Sequence, residues 1–100
     1  LLDMEHPAAH RTFNWDLCQC EEVISKYSSD VRGDRQPMLE RFLAEYRRDV
    51  APLLPRLRKS VVHNDPNDYN LVVDGAGRVG VLDFGDMLYS YTCADAAIGM

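Results

Sequence analysis

Positive charge is scarce in this chain of 100 residues. Its lysines and arginines number 11 against 16 aspartates and glutamates, a formal net charge of -5. That balance offers no general attraction to nucleic acid or to an anionic membrane. No lysine follows Lys59, so the later part of the chain lacks one component of any phosphate clamp made from a glycine loop and a strand lysine. No apolar run approaches the roughly 20 residues of a membrane span, and no basic-then-apolar leader is visible. Neither a nucleic-acid nor a membrane partner is expected. Cysteine is scarce too: Cys18, Cys20 and Cys93 are too few and too oddly spaced for a disulfide framework or a four-ligand zinc site. Unbridged thiols and a cytoplasmic setting are the expectation.

Internal repeats and low-complexity tracts are also missing, so the chain reads as one small unit or part of a larger one. The opening on Leu1 and the uncapped apolar stretch from Cys93 to Met100 favour a partial domain over residues 1–100, with sequence expected before and after it.

The first half is patterned for helices. His6 and His10 are spaced for one helix face, but Pro7 stands where a zinc-binding His-Glu pair needs glutamate, so the stretch reads as a helix start. Asp16 is placed to cap a helix running to about Tyr27, with Leu17, Cys20, Val23, Ile24 and Tyr27 forming a core-facing stripe. Trp15 reads as a packing anchor. A second helix from Pro37 carries Met38, Leu39, Phe42, Leu43, Tyr46 and Val50 as its apolar side, until Pro52 and Pro55 break or kink it. Met87 to Tyr91 reads as a loop or short turn, with the last helix starting at Thr92 or Asp95. The fold class expected is α+β: mostly helical, with a small β-hairpin carrying two functional loops.

Those loops hold the chemistry. Val61-Val62-His63-Asn64-Asp65-Pro66-Asn67-Asp68-Tyr69-Asn70 runs from one β-branched stretch towards another, and Val79-Gly80-Val81-Leu82-Asp83-Phe84-Gly85-Asp86 follows the turn Asp74-Gly75-Ala76-Gly77-Arg78. An aspartate two residues after histidine, an asparagine five further on and an Asp-Phe-Gly triplet thirteen beyond that match the catalytic and metal-binding loops of kinase chemistry. Phosphoryl transfer needs a hard cation on the phosphates and a group that orients the accepting hydroxyl. Asn70 and Asp83 supply oxygen ligands and Asp65 the proton acceptor. His63 is expected to fasten its loop to the Asp83 turn, with Asp68, Phe84, Gly85 and Asp86 in supporting positions. Asp, Asn, Pro and Gly are also ordinary turn residues, so either stretch alone would be weak; the two together carry the reading. The spacing Gly75-x-Gly77-x-x-Gly80 is a decoy, because no helix follows it.

At these residues the chain resembles the aminoglycoside phosphotransferase and choline kinase family, whose members have a protein-kinase-like fold and phosphorylate small-molecule hydroxyls. Asn67-Asp68-Tyr69-Asn70, Asp83-Phe84-Gly85-Asp86-Met87, His6-Pro7-Ala8-Ala9 and Trp15-Asp16-Leu17 are most similar to its hydroxylysine kinase branch. The resemblance implies that the chain is a piece of the C-terminal lobe, with Asp65 as catalytic base and Asn70 and Asp83 as Mg2+ ligands. It further implies ATP or GTP as phosphoryl donor and an amino alcohol or hydroxylysine-like acceptor. Asn64 stands where the family often has glycine, and no N-terminal lobe with its glycine loop and lysine lies within these residues, so residues 1–100 alone are expected to be inactive. Two alternatives remain: a metal-dependent phosphohydrolase using Asp65, Asp83 and Asp86 as ligands, and a catalytically silent binding module.

Overall fold

Four short strands organise the protein, a computed structural model that describes residues 3–100. Strand β1 (Lys59–Val62) pairs antiparallel with β4 (Leu88–Tyr91), setting Val62 opposite Leu88 and Lys59 opposite Tyr91. Strand β2 (Leu71–Val73) pairs antiparallel with β3 (Val79–Val81), setting Leu71 opposite Val81. The hairpin is thus nested inside the outer ribbon. One polar loop joins β1 to β2 and the other joins β3 to β4, so pairing at both ends forces the two loops side by side.

The β1–β4 ribbon was not legible from the sequence, because Leu88–Tyr91 reads as a loop. It is a strand with period-two burial: Leu88 and Ser90 are 0% exposed, whereas Tyr89 is 40% exposed. Alternation with aromatic residues suits a half-buried strand, but the inward serine hides the apolar signal. Ser90 is satisfied there, its hydroxyl donating to Asp16 Oδ1 at 2.6 Å. Val61, Val62, Leu88, Ala94 and Ala9 make the buried apolar core around this ribbon, while the β2–β3 hairpin stands largely in solvent.

The helices follow their caps more closely than their stripes. Asp16 accepts from the Cys18 amide and starts a 3-10 turn (Leu17–Gln19) that leads into α1 (Cys20–Tyr27). Helix α2 (Gln36–Glu45) begins beside Pro37 as expected. Pro52 and Pro55 change its pitch and do not end it: α2 widens to a π segment (Tyr46–Val50) and then tightens to a 3-10 segment (Ala51–Arg56). Pro52 falls in the first turn of that last segment, where its missing amide hydrogen costs little. The apolar stripe of α2 is not core. Met38 is 54% and Phe42 50% exposed, since α2 packs mostly against its own continuation. Of the N-terminal histidines, His6 acts locally, its Nδ1 accepting from the Ala8 amide to cap the turn Pro7–Ala9, whereas the His10 ring lies against Tyr89 of β4 at 4.7 Å between centroids. The last helix, α3 (Ala94–Ile98), follows β4 at once. The architecture is α+β, and no helix among the described residues is long and apolar enough to cross a membrane. Cys18, Cys20 and Cys93 are unbridged.

Candidate active site

The first loop begins inside the core. His63 is 3% and Asn64 4% exposed, and their backbone N–H groups both donate to the Asp95 carboxylate on α3, at 2.9 and 2.8 Å. An ionised acceptor makes these stronger than neutral amide pairs. Asn64 then adopts φ 68, a left-handed turn that asparagine tolerates better than most side chains. This explains how asparagine can occupy a position suited to glycine, and it swings Asp65 out of the core.

His63 is committed on both ring nitrogens. Nε2 lies 2.8 Å from the Leu82 carbonyl oxygen, which can only accept, so Nε2 carries the hydrogen. Nδ1 accepts from the Asp65 amide at 3.3 Å. The ring also meets Phe84 edge-on at 5.1 Å between centroids. This histidine ties the first loop to the end of β3, with both ring nitrogens engaged.

Asp65 is gripped by two asparagines. Asn67 Nδ2 donates to Oδ1 at 2.7 Å, and Asn70 Nδ2 donates to Oδ2 and to the Asp65 carbonyl, each at 2.9 Å. Asn67 is itself braced, its Oδ1 accepting from the Tyr69 amide at 2.9 Å. Each Asp65 oxygen therefore holds one donor and keeps capacity for another. Because Asn70 spends its N–H groups on Asp65, its Oδ1 is the end left for a ligand. Asp68 is exposed on the outside of this loop.

The second loop approaches from β3. The Leu82 amide donates to the Asn70 carbonyl at 2.8 Å, which fixes the two loops together next to Asp83. Asp83 has φ 55, and its Oδ1 accepts from the Gly85 amide at 3.2 Å, capping the turn Phe84–Asp86. A Cβ on Gly85 would come within 3.2 Å of that same oxygen, a packing reason for the glycine of the triplet. From the N-terminal segment, Arg11 Nη2 donates to the carbonyls of Gly85 and Met87 at 2.8 and 3.2 Å. Asp86 faces a different direction, lining with Asp65, Asn64, Trp15, Leu17 and Ile98 an open cleft of about 400 Å3. Trp15 is 74% exposed, so it is a wall of this cleft and not the packing anchor its bulk suggests.

The donor set fits a small hard cation. Asn70 Oδ1 and the Asp83 carboxylate are oxygen donors on loops joined by the Leu82–Asn70 hydrogen bond, and magnesium needs only one or two protein oxygens when water and phosphate complete its shell. No group of three or more His, Cys, Asp or Glu side chains suited to a metal occurs among the described residues. Asp65, Asp83 and Asp86 therefore do not form the convergent cage a phosphohydrolase would need. Sequence reasoning missed Asp95, Arg11 and the bracing role of Asn67. Asn67 sat in plain view within the loop, but Asp95 acts across 31 and 32 residues and Arg11 across 74 and 76, and neither left a local signature.

Comparison with known proteins is consistent with this geometry. Residues 5–100 match the model of the phosphotransferase enzyme family. The hydroxylysine kinase of Danio rerio is 34% identical over 108 residues, covering 98% of this chain and 30% of the relative. That of Mus musculus is 31% identical over 112 residues, with 98% and 30% covered, and that of Xenopus laevis 31% identical over 97 residues, with 86% and 26% covered. The chain thus spans about 30% of the length of the first of these relatives. No solved structure gives a significant match.

Proposed function

This chain belongs to the phosphotransferase enzyme family, a membership that implies a protein-kinase-like fold, and we propose that it supplies the acceptor-activating and metal-holding part of a small-molecule kinase. The donor is ATP or GTP, and the acceptor is a hydroxyl on an amino alcohol or hydroxylysine-like molecule, in keeping with the names of the relatives. The observation that carries this reading is the pair of asparagine amides holding both oxygens of Asp65 beside the Asn70–Leu82 junction that leads to Asp83.

Asp65 accepts a hydrogen bond from the acceptor hydroxyl and takes its proton as the oxygen attacks the terminal phosphorus. The new O–P bond forms while the bond to the nucleoside diphosphate breaks, and the diphosphate leaves with that electron pair. Asn67 and Asn70 hold the carboxylate in one orientation, so little rearrangement is needed at the moment of transfer. Asn70 and Asp83 would hold Mg2+, which would supply charge to neutralise the phosphates. His63 and Asp95 keep the loop where these groups meet. No strand lysine or phosphate-covering glycine loop lies within these residues, so residues 1–100 alone neither turn over nor hold nucleotide tightly on this reading. The charge of -5 and unbridged cysteines support a cytoplasmic setting without nucleic-acid or membrane partners.

The test is titration of Mg-nucleotide in the whole protein and in its Asp83→Ala variant, with and without metal. Loss of a ligand to a hard cation should lower both rate and metal-dependent nucleotide affinity, by about tenfold or more. Equal metal dependence in the two proteins removes Asp83 from the site.

A further inference from the structure

Asn64 is held from two directions and carries two penalties. Its backbone N–H donates to Asp95 Oδ1 at 2.8 Å, and its side-chain Nδ2 donates to the Trp15 carbonyl at 3.4 Å. Trp15 is fixed through its neighbour: Asp16 is buried and accepts from Ser90 Oγ on β4 at 2.6 Å and from the Cys18 amide at 3.0 Å. Strand β4 pairs with β1, which leads back into Asn64, so the carboxamide closes a circuit from the first loop through the N-terminal segment to the ribbon. The penalties are local. The residue has φ 68, a conformation that glycine reaches freely and asparagine at some cost, and its Oδ1 is buried without a hydrogen-bond partner among the described residues. Turning the carboxamide over would set its oxygen against the Trp15 carbonyl, so the orphan cannot be relieved that way. Glycine would remove both penalties. A strained backbone and an unpaired buried acceptor at one residue point to a role other than stability.

We infer that Asn64 is a positioning residue for Asp65: its carboxamide fixes, relative to the ribbon, the left-handed turn that aims the carboxylate. The inference rests on the phosphotransferase reading and adds to it a residue that acts through Asp65. Asn67 and Asn70 do not supply this. They lie in the same loop as Asp65, so they hold its oxygens relative to the loop, and the far end of that loop is fastened by the Leu82 amide on the Asn70 carbonyl. The angle at which the loop leaves the core is set at Asn64, the residue immediately before Asp65. A misplacement of about 1 Å can cost about a hundredfold in rate, so loosening this one turn is felt in kcat and not in what binds at Asp83.

Two substitutions in the whole protein separate this role from a structural one. Asn64→Gly and Asn64→Ala both remove the link to Trp15, but glycine accepts the left-handed turn and alanine resists it. Both should lower kcat about tenfold, with the KM for nucleotide and the magnesium requirement unchanged. Their stabilities should differ: Asn64→Gly should unfold within about 3 °C of the original, and Asn64→Ala clearly below it. Hydrogen exchange gives a readout that needs no turnover. The Asp65 amide, which donates to His63 Nδ1 at 3.3 Å, should exchange about tenfold faster in Asn64→Gly, while the His63 amide, held by Asp95 at 2.9 Å, keeps its rate. An unaltered kcat in Asn64→Gly, an Asp65 amide that exchanges no faster, or a kcat that follows the unfolding midpoint across the two variants overturns the positioning role. Asp65→Asn turnover is measured alongside to separate the failures. Lost turnover in Asp65→Asn with full turnover in Asn64→Gly overturns the positioning role alone, whereas wild-type turnover by Asp65→Asn removes the phosphotransferase reading and the positioning role with it.

Discussion

The two loops that meet at the site are held in opposite ways. The loop from His63 to Asn70 leaves the core with its first residues buried, its amides fixed by Asp95 and its carboxylate clasped by Asn67 and Asn70. The loop from Leu82 to Met87 is mostly exposed, bends through a left-handed aspartate, and is gripped from the surface by Arg11. They are hydrogen-bonded through one backbone unit, beside the edge-on contact of the His63 ring with Phe84. Leu82 donates its N–H to Asn70 and accepts from His63 on its carbonyl, although its side chain is exposed. The contrast suits the chemistry proposed. A proton acceptor works best preorganised, because each misplacement costs rate, whereas a metal ligand that must admit and release a nucleotide complex tolerates a looser mount.

Cutting the deep anchor should do the most damage. Asp95→Ala leaves the His63 and Asn64 amides without their acceptor, and unpaired polar groups away from water cost about 1–3 kcal/mol each. Denaturant unfolding should show a loss of about 2 kcal/mol or more, with turnover down roughly tenfold and an unchanged magnesium requirement. Asp95→Asn, which keeps an acceptor oxygen, should fall between. A stable, fully active Asp95→Ala protein would mean that the first loop holds itself.

The surface anchor should matter less. Arg11→Ala removes two hydrogen bonds to exposed carbonyls, so stability should drop by under about 1 kcal/mol. The magnesium concentration for half-maximal rate should instead rise several-fold, with kcat at saturating metal near the original value. If Arg11→Ala lowered kcat at every metal concentration, both loops would belong to one rigid unit and the contrast between them would fail.

The smallest effect concerns the hairpin that links the loops. The Asp74 carboxylate is held below the usual carboxylate range, chiefly by the Arg78 amide, then by the Arg78 guanidinium and the Ala76 amide. A depressed folded value means the stabilisation is present above the ordinary carboxylate pKa and is lost as pH falls through the depressed one. The turn should loosen over that acid window. Amide chemical shifts and hydrogen exchange at Ala76 and Arg78 should report it, while shifts that stay flat throughout would detach Asp74 from the turn.

What the sequence made legible follows the reach of its signals. The β-branched runs, the glycine turn and the spacing of His63, Asp65, Asn70 and Asp83 are local patterns, and the hairpin and both loops lie where those patterns put them. Strand β4 was hidden because one of its two inward positions is a serine, whose place in the core depends on Asp16 from far along the chain. The stripe on α2 and the bulk of Trp15 suggested burial, but apolar character permits burial without requiring it; whether it occurs depends on what packs there. Asp95 had the look of an ordinary helix-start residue. Its value lies in two amides 31 and 32 residues away, which no spacing rule reaches.

The central claim is that Asp65, oriented by Asn67 and Asn70, takes the proton of the acceptor hydroxyl. It is tested most directly by comparing turnover and nucleotide affinity of the whole protein with those of Asp65→Asn, a change that keeps the shape and removes the basic carboxylate. The account predicts a fall in turnover of at least about a hundredfold, the usual worth of a positioned general base, with nucleotide affinity little altered. Turnover equal to that of the unaltered protein would contradict it.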